Sequence, residues 1–269
     1  MSSIKFKSLS SGSCGNCYWL AIEEDDKSLI PIIIDAGVSP RRLKRELQAE
    51  GIDYSLTRGI LITHDHMDHI RSLGSYCKHL EWPVWATPKL HRALAHHTMT
   101  YEHIAPYRKE LGDGWTEIVP GRIRARWFEV PHDATQTVGY AILLDDFKFV
   151  IMTDIGHMTA EALNFARQAD TVVIESNYDL QMLREGPYPP ELQDRICLGG
   201  GHLSNVQCAQ AISEFKHDGL RYIFLCHLSE HNNTPDLARR ASAEVLGDSP
   251  TRLVTLPRTG ASPLFSLYL

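Results

Sequence analysis

Thr63-His64-Asp65-His66-Met67-Asp68-His69 follows directly on the apolar run Gly59-Ile60-Leu61-Ile62. It carries four ligand-type side chains: His64, His66, Asp68 and His69. The apolar run reads as a strand that delivers the chain to the cluster. In an extended segment, residues two apart face the same way, so His64 and His66 can grip one metal ion together. Asp68 and His69 come as the chain turns toward a helix and can point to a second ion. Neutral imidazole and carboxylate suit zinc, and also manganese or iron. The competing reading is a solvated loop that is merely His-rich; the strand before it and the residues that follow argue against that.

Working outward, the same arrangement recurs. Ile30 to Ile34 ends at Asp35-Ala36-Gly37, and Arg122 to Val130 ends at Pro131-His132. Val138 to Leu144 and Phe147 to Met152 flank Asp145-Asp146, a hairpin signal, and the second run leads to Asp154. Thr171 to Ile174 ends at Glu175, and Arg221 to Cys226 ends at His227. Strand ends are rigid places from which side chains can converge on one pocket. Taken singly, His132 could cap a turn with Asp133, Asp154 could be a turn residue, and His227 could be a buried histidine satisfied by backbone. As a set, in this order, they read as partners of the first cluster. Helical patterns cover Pro40 to Glu50, Lys89 to His97, Thr159 to Gln168, Asn205 to Lys216 and Thr234 to Leu246. The chain is therefore mixed α/β with hairpins, of α+β character, and not a strictly alternating barrel. Gly186-Pro187-Tyr188-Pro189-Pro190 reads as a loop. With no convincing linker, residues 1–269 are expected to form a single domain.

The bulk numbers set limits. A chain of 269 residues, 43% apolar and 22% charged, can bury a substantial core. No apolar run approaches the roughly 18–20 residues of a membrane span, and the first residues lack the apolar stretch of a secretory signal. A cytoplasmic protein without a membrane partner is expected. The six cysteines are scattered, which predicts reduced thiols. Cys14 and Cys17 form a C-x-x-C, but no second pair completes a zinc site. A net charge of −6 argues against a surface coated in basic charge. A local patch could still attract nucleic acid. Two candidates are Arg41, Arg42, Lys44 and Arg45, and a strand face bearing Arg122, Arg124 and Arg126. A solvated helix and a solvated edge strand explain them equally well.

Ile34-Asp35-Ala36-Gly37, the histidine cluster, Pro131-His132, Thr153-Asp154-Ile155-Gly156 and His227 together resemble the metallo-β-lactamase superfamily. The resemblance implies a four-layer αββα sandwich with metals at the open edge between two sheets. Position by position, it implies that His64, His66 and His132 bind one ion. Asp68, His69 and His227 bind the other, Asp154 bridges them, and Asp35 supports the ligands from behind. A narrower set is similar to the YycJ/WalJ group, whose members are regarded as metal-dependent DNA exonucleases acting 5′ to 3′. It comprises the opening Ser8-Leu9-Ser10-Ser11-Gly12-Ser13-Cys14-Gly15-Asn16-Cys17-Tyr18, then Glu175-Ser176-Asn177-Tyr178-Asp179, Gly201-His202-Leu203-Ser204-Asn205, and the segment His227 to Pro235. The chain departs from larger nuclease relatives. Asp154 and His227 are 73 positions apart, too close to hold a β-CASP domain, and no Gly-rich arm is evident.

The resemblance thus implies two divalent ions, Zn²⁺ or Mn²⁺, and a nucleic-acid substrate, DNA ahead of RNA. Two such ions can hold a hydroxide at neutral pH and polarise a phosphoryl oxygen. Asp68 could orient that nucleophile as well as bind metal. By the same resemblance, His202 contacts the scissile phosphate or protonates the leaving oxygen, with Glu175 tuning it. The plainer reading of His202 is a turn residue before a helix. That glycine-rich turn could also offer backbone N–H groups to a phosphate. A thioester or small-ester hydrolase of the glyoxalase II or lactonase kind would use the same seven ligands. His202 and the Glu175 segment favour phosphodiesters. The complete donor set weighs against a non-catalytic metal-stabilised binding protein, and His66 stands where a diiron relative would carry glutamate. His91, His96, His97 and His103 read as helix or post-helix residues, and His79, His217 and His231 as surface. His157, close to Asp154, is open to a substrate contact.

Overall fold

A computed structural model describes residues 3–267. It opens with a long hairpin, β1 (Ser3–Gly12) and β2 (Gly15–Glu23). Alternation sends Phe6, Tyr18, Leu20 and Ile22 to one face, and Cys17, Trp19 and Ala21 to the other. Both faces are buried, so β2 lacks the polar half of an amphipathic strand. Next come β3 (Leu29–Ile34), β4 (Ile60–Leu61), β5 (Val84–Ala86) and β6 (Arg108–Glu110), and the late β14 (Phe265–Leu267) joins the far edge. The resulting sheet runs β14-β1-β2-β3-β4-β5-β6. The second sheet is built from β7 (Thr116–Val119), β8 (Ile123–Glu129), β9 (Val138–Leu144), β10 (Phe147–Met152), β11 (Thr171–Glu175), β12 (Tyr222–Cys226) and β13 (Arg252–Thr255). Its order is β13-β12-β11-β10-β9-β8-β7.

The sheets face each other across an apolar core in which Phe6 meets Phe224 at 4.8 Å and Phe149 at 5.4 Å between ring centroids. The helices α1 (Pro40–Gln48), α2 (Met67–Ile70), α3 (Leu73–Leu80) and α4 (Pro88–Leu94) cover the outer face of the first sheet, with Leu43, Leu47, Tyr76 and Leu90 in that layer. The other outer face is covered by α5 (Ala160–Ala166), α8 (Asn205–Phe215) and α9 (Pro235–Leu246), through Ala162, Ile212, Phe215 and Ala238. Two shorter helices, α6 (Leu180–Glu185) and α7 (Pro190–Cys197), flank the predicted loop at Gly186 to Pro190. The four-layer αββα sandwich expected from the sequence is therefore the observed architecture.

Two parallel stretches position the site. β3 and β4 run parallel, as do β10, β11 and β12. Their carboxyl ends therefore lie along one edge, the usual place for ligand sites in sheets of this kind. All five predicted helices are present, although α4 stops at Leu94 and leaves His96 and His97 beyond it. The predicted strand Gly59 to Thr63 is pared to β4, because the chain turns off the sheet toward the histidines. One expectation is corrected. Arg122 is not on the strand face with Arg124 and Arg126, because it precedes β8 beside Gly121 (φ +70°) and pairs with Asp145 and Glu24. Arg124 and Arg126 lie over the rings of Trp115 and Phe165. In the other basic cluster, Arg42 donates to the Leu9 carbonyl at 2.6 Å, Lys44 lies over Tyr54, and Arg45 pairs with Glu46. These cations tie elements together. No helix among the described residues is long and apolar enough to cross a membrane.

Candidate metal centre

The strand ends deliver the site. Asp35, Asp154 and His227 follow β3, β10 and β12, and all three hold left-handed backbone, with φ of 62°, 55° and 54°. Such conformations are uncommon for residues other than glycine and cluster at functional sites. Two glycines make the packing possible. A Cβ on Gly37 would lie 1.8 Å from the Asp68 carbonyl oxygen, and one on Gly156 would lie 2.2 Å from that of Gly199.

Three sets of donor atoms come within 4.8 Å of one another: His64, His66 and His132; Asp68, His69 and His227; and His64, His69 and Asp154. The Asp154 carboxylate lies between the first two sets. Its Oδ1 is 3.7 Å from His132 Nε2, and its Oδ2 is 3.1 Å from His69 Nε2. The seven residues singled out in the sequence are therefore gathered at one place.

Each ring is held by its other nitrogen. His69 Nδ1 donates to Asp35 Oδ2 at 2.7 Å, and His64 Nδ1 lies 3.0 Å from Thr63 Oγ1. Thr63 in turn gives its N–H and hydroxyl to Asp35, both at 2.8 Å. His132 Nδ1 donates to the Gly201 carbonyl at 2.8 Å, and His66 Nε2 donates to that of Asp133 at 3.2 Å. His227 Nδ1 donates to Glu175 Oε1 at 2.8 Å. This is the outer support that metal-binding imidazoles need. The inner nitrogens His64 Nε2 and His227 Nε2 are buried and have no hydrogen-bond partner among the described residues. Buried polar atoms are normally satisfied, so two orphans facing a shared donor set fit a cation.

The electrostatics agree. Burial and neighbouring His69 hold His64 well below its ordinary pKa. Burial works against charge on His69 too, yet Asp35, Asp154 and Asp68 raise it well above the ordinary value. His227, likewise buried, is raised to about 10 by Asp154, Asp68 and Glu175. Burial raises the Asp154 carboxyl, but His227 and His69 bring it well below the usual range. The carboxylates thus favour positive charge on His69 and His227, while His64 is held neutral.

Glu175 is fully buried at the end of β11 and acts as a hub. Its Oε1 accepts from both His202 Nδ1 and His227 Nδ1 at 2.8 Å, and its Oε2 accepts the N–H groups of Ile155 at 3.0 Å and Leu203 at 3.1 Å. Asp154, Glu175, His202 and His227 also form a compact donor group. The Glu175 oxygens are already satisfied, so that group reads as a hydrogen-bonded brace. Glu175 positions His202 and His227 from behind the cleft. Burial opposes charge on His202, and Glu175 with Asp154 raises its pKa nonetheless.

Several contributors were not singled out from the sequence. Asn16 donates to Asp68 Oδ2 at 3.0 Å and contacts His69 Nε2 at 2.8 Å. Ser11 Oγ accepts the His227 N–H at 2.9 Å. Asp65 accepts the Thr135 N–H at 3.1 Å and so ties the loop of His66 to that of His132. Asn233 donates to the Ser176 and Asn177 carbonyls and to Asn205 Oδ1. The quoted motifs held the signal, because these residues lie inside them. His157 turns to the Gly199 carbonyl at 2.8 Å. Cys14 is exposed and Cys17 buried, and burial pushes the Cys17 thiol up.

A cleft of about 290 Å³ opens over the donors, lined by His66, Asp68, His132, Asp154, His202 and His227 together with residues of α7. A sandwich of this kind, with such a donor set at its open edge, defines a class of metal-dependent hydrolases. The chain belongs to the metallo-β-lactamase superfamily: the β-lactamase superfamily domain matches residues 31–227. Among its relatives are exodeoxyribonuclease YycJ of Bacillus anthracis, 33% identical over 90% of this chain and 89% of that one, and exodeoxyribonuclease WalJ of Streptococcus pneumoniae, 32% identical over 91% and 89%. The fold is shared with a diphosphatase of the PhnP family (TM-score 0.65, 16% identity, all of both chains). It is also shared with the short form of human tRNase Z (TM-score 0.62, 12% identity, 98% of this chain and all of that one).

Proposed function

We propose that the chain is a metal-dependent exonuclease that hydrolyses DNA phosphodiester bonds from the 5′ end, using two divalent ions, Zn²⁺ or Mn²⁺. His64, His66 and His132 would hold one ion and Asp68, His69 and His227 the other, with Asp154 between them. When bound, such ions supply Lewis acidity, water activation at neutral pH and neutralisation of phosphoryl charge. The observation that carries the reading is the His202–Glu175 pair at the cleft. His202 is additional to the seven donors. Its Nδ1 is committed to Glu175, which leaves Nε2 for the substrate. Burial opposes charge on the ring, but Glu175 raises the His202 pKa against it, which favours the protonated form. His202 thus protonates the leaving oxygen, a task a phosphodiester ester bond requires and general acids perform. Asp68 receives a hydrogen bond from the attacking water, and Asn16 holds Asp68 for it. The names of the YycJ and WalJ relatives record the same kind of substrate.

The test is purified protein on end-labelled DNA and RNA with Mn²⁺, Zn²⁺ or Mg²⁺. Stepwise release of nucleotides from DNA is expected. The His64→Ala variant should be inactive, and His202→Ala should lose about 10²–10⁴-fold, the usual weight of a general acid. Hydrolysis of small esters with no cleavage of nucleic acid under any metal would overturn the reading. Undiminished cleavage by His202→Ala would remove its role.

A further inference from the structure

The cleft has two unlike walls. One carries the donor cluster and His202. The other comes from α7 and the loop before it, where Tyr188, Leu192 and Ile196 present apolar surface and Arg195 stands at the rim. Among the described residues lining this cleft, Arg195 is the only lysine or arginine. Its side chain is 64% exposed, and its Nε donates to Asp133 Oδ2 at 2.5 Å. Asp133 itself adjoins the donors, with its carbonyl 3.2 Å from His66 Nε2 and its Oδ1 3.4 Å from His132 Nε2. Tyr188 meets His231 at a steep 78°, with ring centroids 6.0 Å apart, and no described aromatic ring lies stacked upon it.

A phosphodiester alone needs no apolar wall beside the reacting centre, whereas a nucleobase does. At about 290 Å³ the cleft is at the small end of ligand pockets, which run from roughly 300 to 1,000 Å³. It has room for about one nucleotide. A base pair, being two nucleotides, exceeds that volume. An exposed ion pair such as Arg195–Asp133 is weak and readily exchanged, and a guanidinium matches phosphate oxygens two at a time. We propose that this wall is a nucleotide subsite. One unpaired terminal nucleotide enters with its base against Tyr188, and Arg195 passes from Asp133 to the phosphate. The proposal rests on the nuclease reading above and specifies how the strand end is presented.

The experiment compares two DNA substrates in Mn²⁺ that differ only in whether the terminal nucleotide carries a base or is abasic. Wild type and Tyr188→Phe should show kcat/KM about tenfold higher on the base-bearing end, as expected for one base–aromatic stack. Tyr188→Ala should cut both ends equally. Arg195→Gln should lower the slope of log(kcat/KM) against log salt by about one, the signature of one lost phosphate contact. No base preference in wild type, a preference that survives in Tyr188→Ala, or an unchanged salt slope in Arg195→Gln would overturn the subsite. Cleavage of both ends without preference sinks the subsite alone. Failure of wild type to cut any nucleic acid sinks the nuclease reading and the subsite with it.

Discussion

Asp35 shows how much one residue can carry without touching substrate. Its two oxygens take the Thr63 N–H, the Thr63 hydroxyl and His69 Nδ1, and through Thr63 it steadies His64. Asp35→Asn replaces one of those acceptors with a donor. Zn²⁺ affinity should fall about 10–100-fold, measured by competition with a chromophoric chelator. Unchanged affinity would show that Asp35 is not an orienting residue. Its position after an apolar run could be read in the sequence. Its positive φ could not, because aspartate in place of glycine gives no local sign of left-handed backbone. The same holds for Asp154 and His227. Asn16 was hidden for another reason: its role depends on β1 and β2 folding back across Asp68, a contact between residues 52 positions apart.

The elements were legible where an amphipathic or apolar period was long. The helix α8 was legible as the pattern Asn205 to Lys216, and the structure caps it with Ser204, which accepts the Gln207 N–H at 3.1 Å while the Gln207 side chain accepts the Ser204 N–H. This capping box fixes the turn that carries His202 and Leu203 to Glu175. Ser204→Ala should cost about 1 kcal/mol of stability, with a range of roughly 0.5–2, read as a lower midpoint in urea at constant slope. No shift would mean that the cap contributes nothing to folding. The hairpin β1–β2 was not read from the sequence, because both its faces are buried and it lacks the polar and apolar alternation of a half-exposed strand. The short helices α6 and α7 were masked by the proline-rich stretch between them, although Pro190 itself begins α7.

At the scale of the molecule, the two sheets bring the ends of β3, β4, β10, β11 and β12 to one edge and concentrate carboxylates and imidazoles there. That edge joins both halves of the sandwich, so a cation bound across it stabilises the whole fold. An ion at 100 times its Kd adds about 2.7 kcal/mol. Differential scanning calorimetry should show Tm rising on addition of Zn²⁺ or Mn²⁺ and falling again with chelator. A Tm indifferent to metal would contradict that coupling. The layered architecture was legible through the resemblance, but the order of strands was not read from the sequence, because which strands pair depends on residues far apart in the chain.

The two-ion centre proposed for the seven gathered side chains makes a stoichiometric prediction. It is tested most directly by counting metal in the folded chain after reconstitution and desalting, using inductively coupled plasma mass spectrometry. Two equivalents of Zn²⁺ or Mn²⁺ per chain are expected, with occupancy lost from both positions in an Asp154→Ala variant. A wild-type chain that retains none, or an Asp154→Ala chain that still holds two, would contradict it.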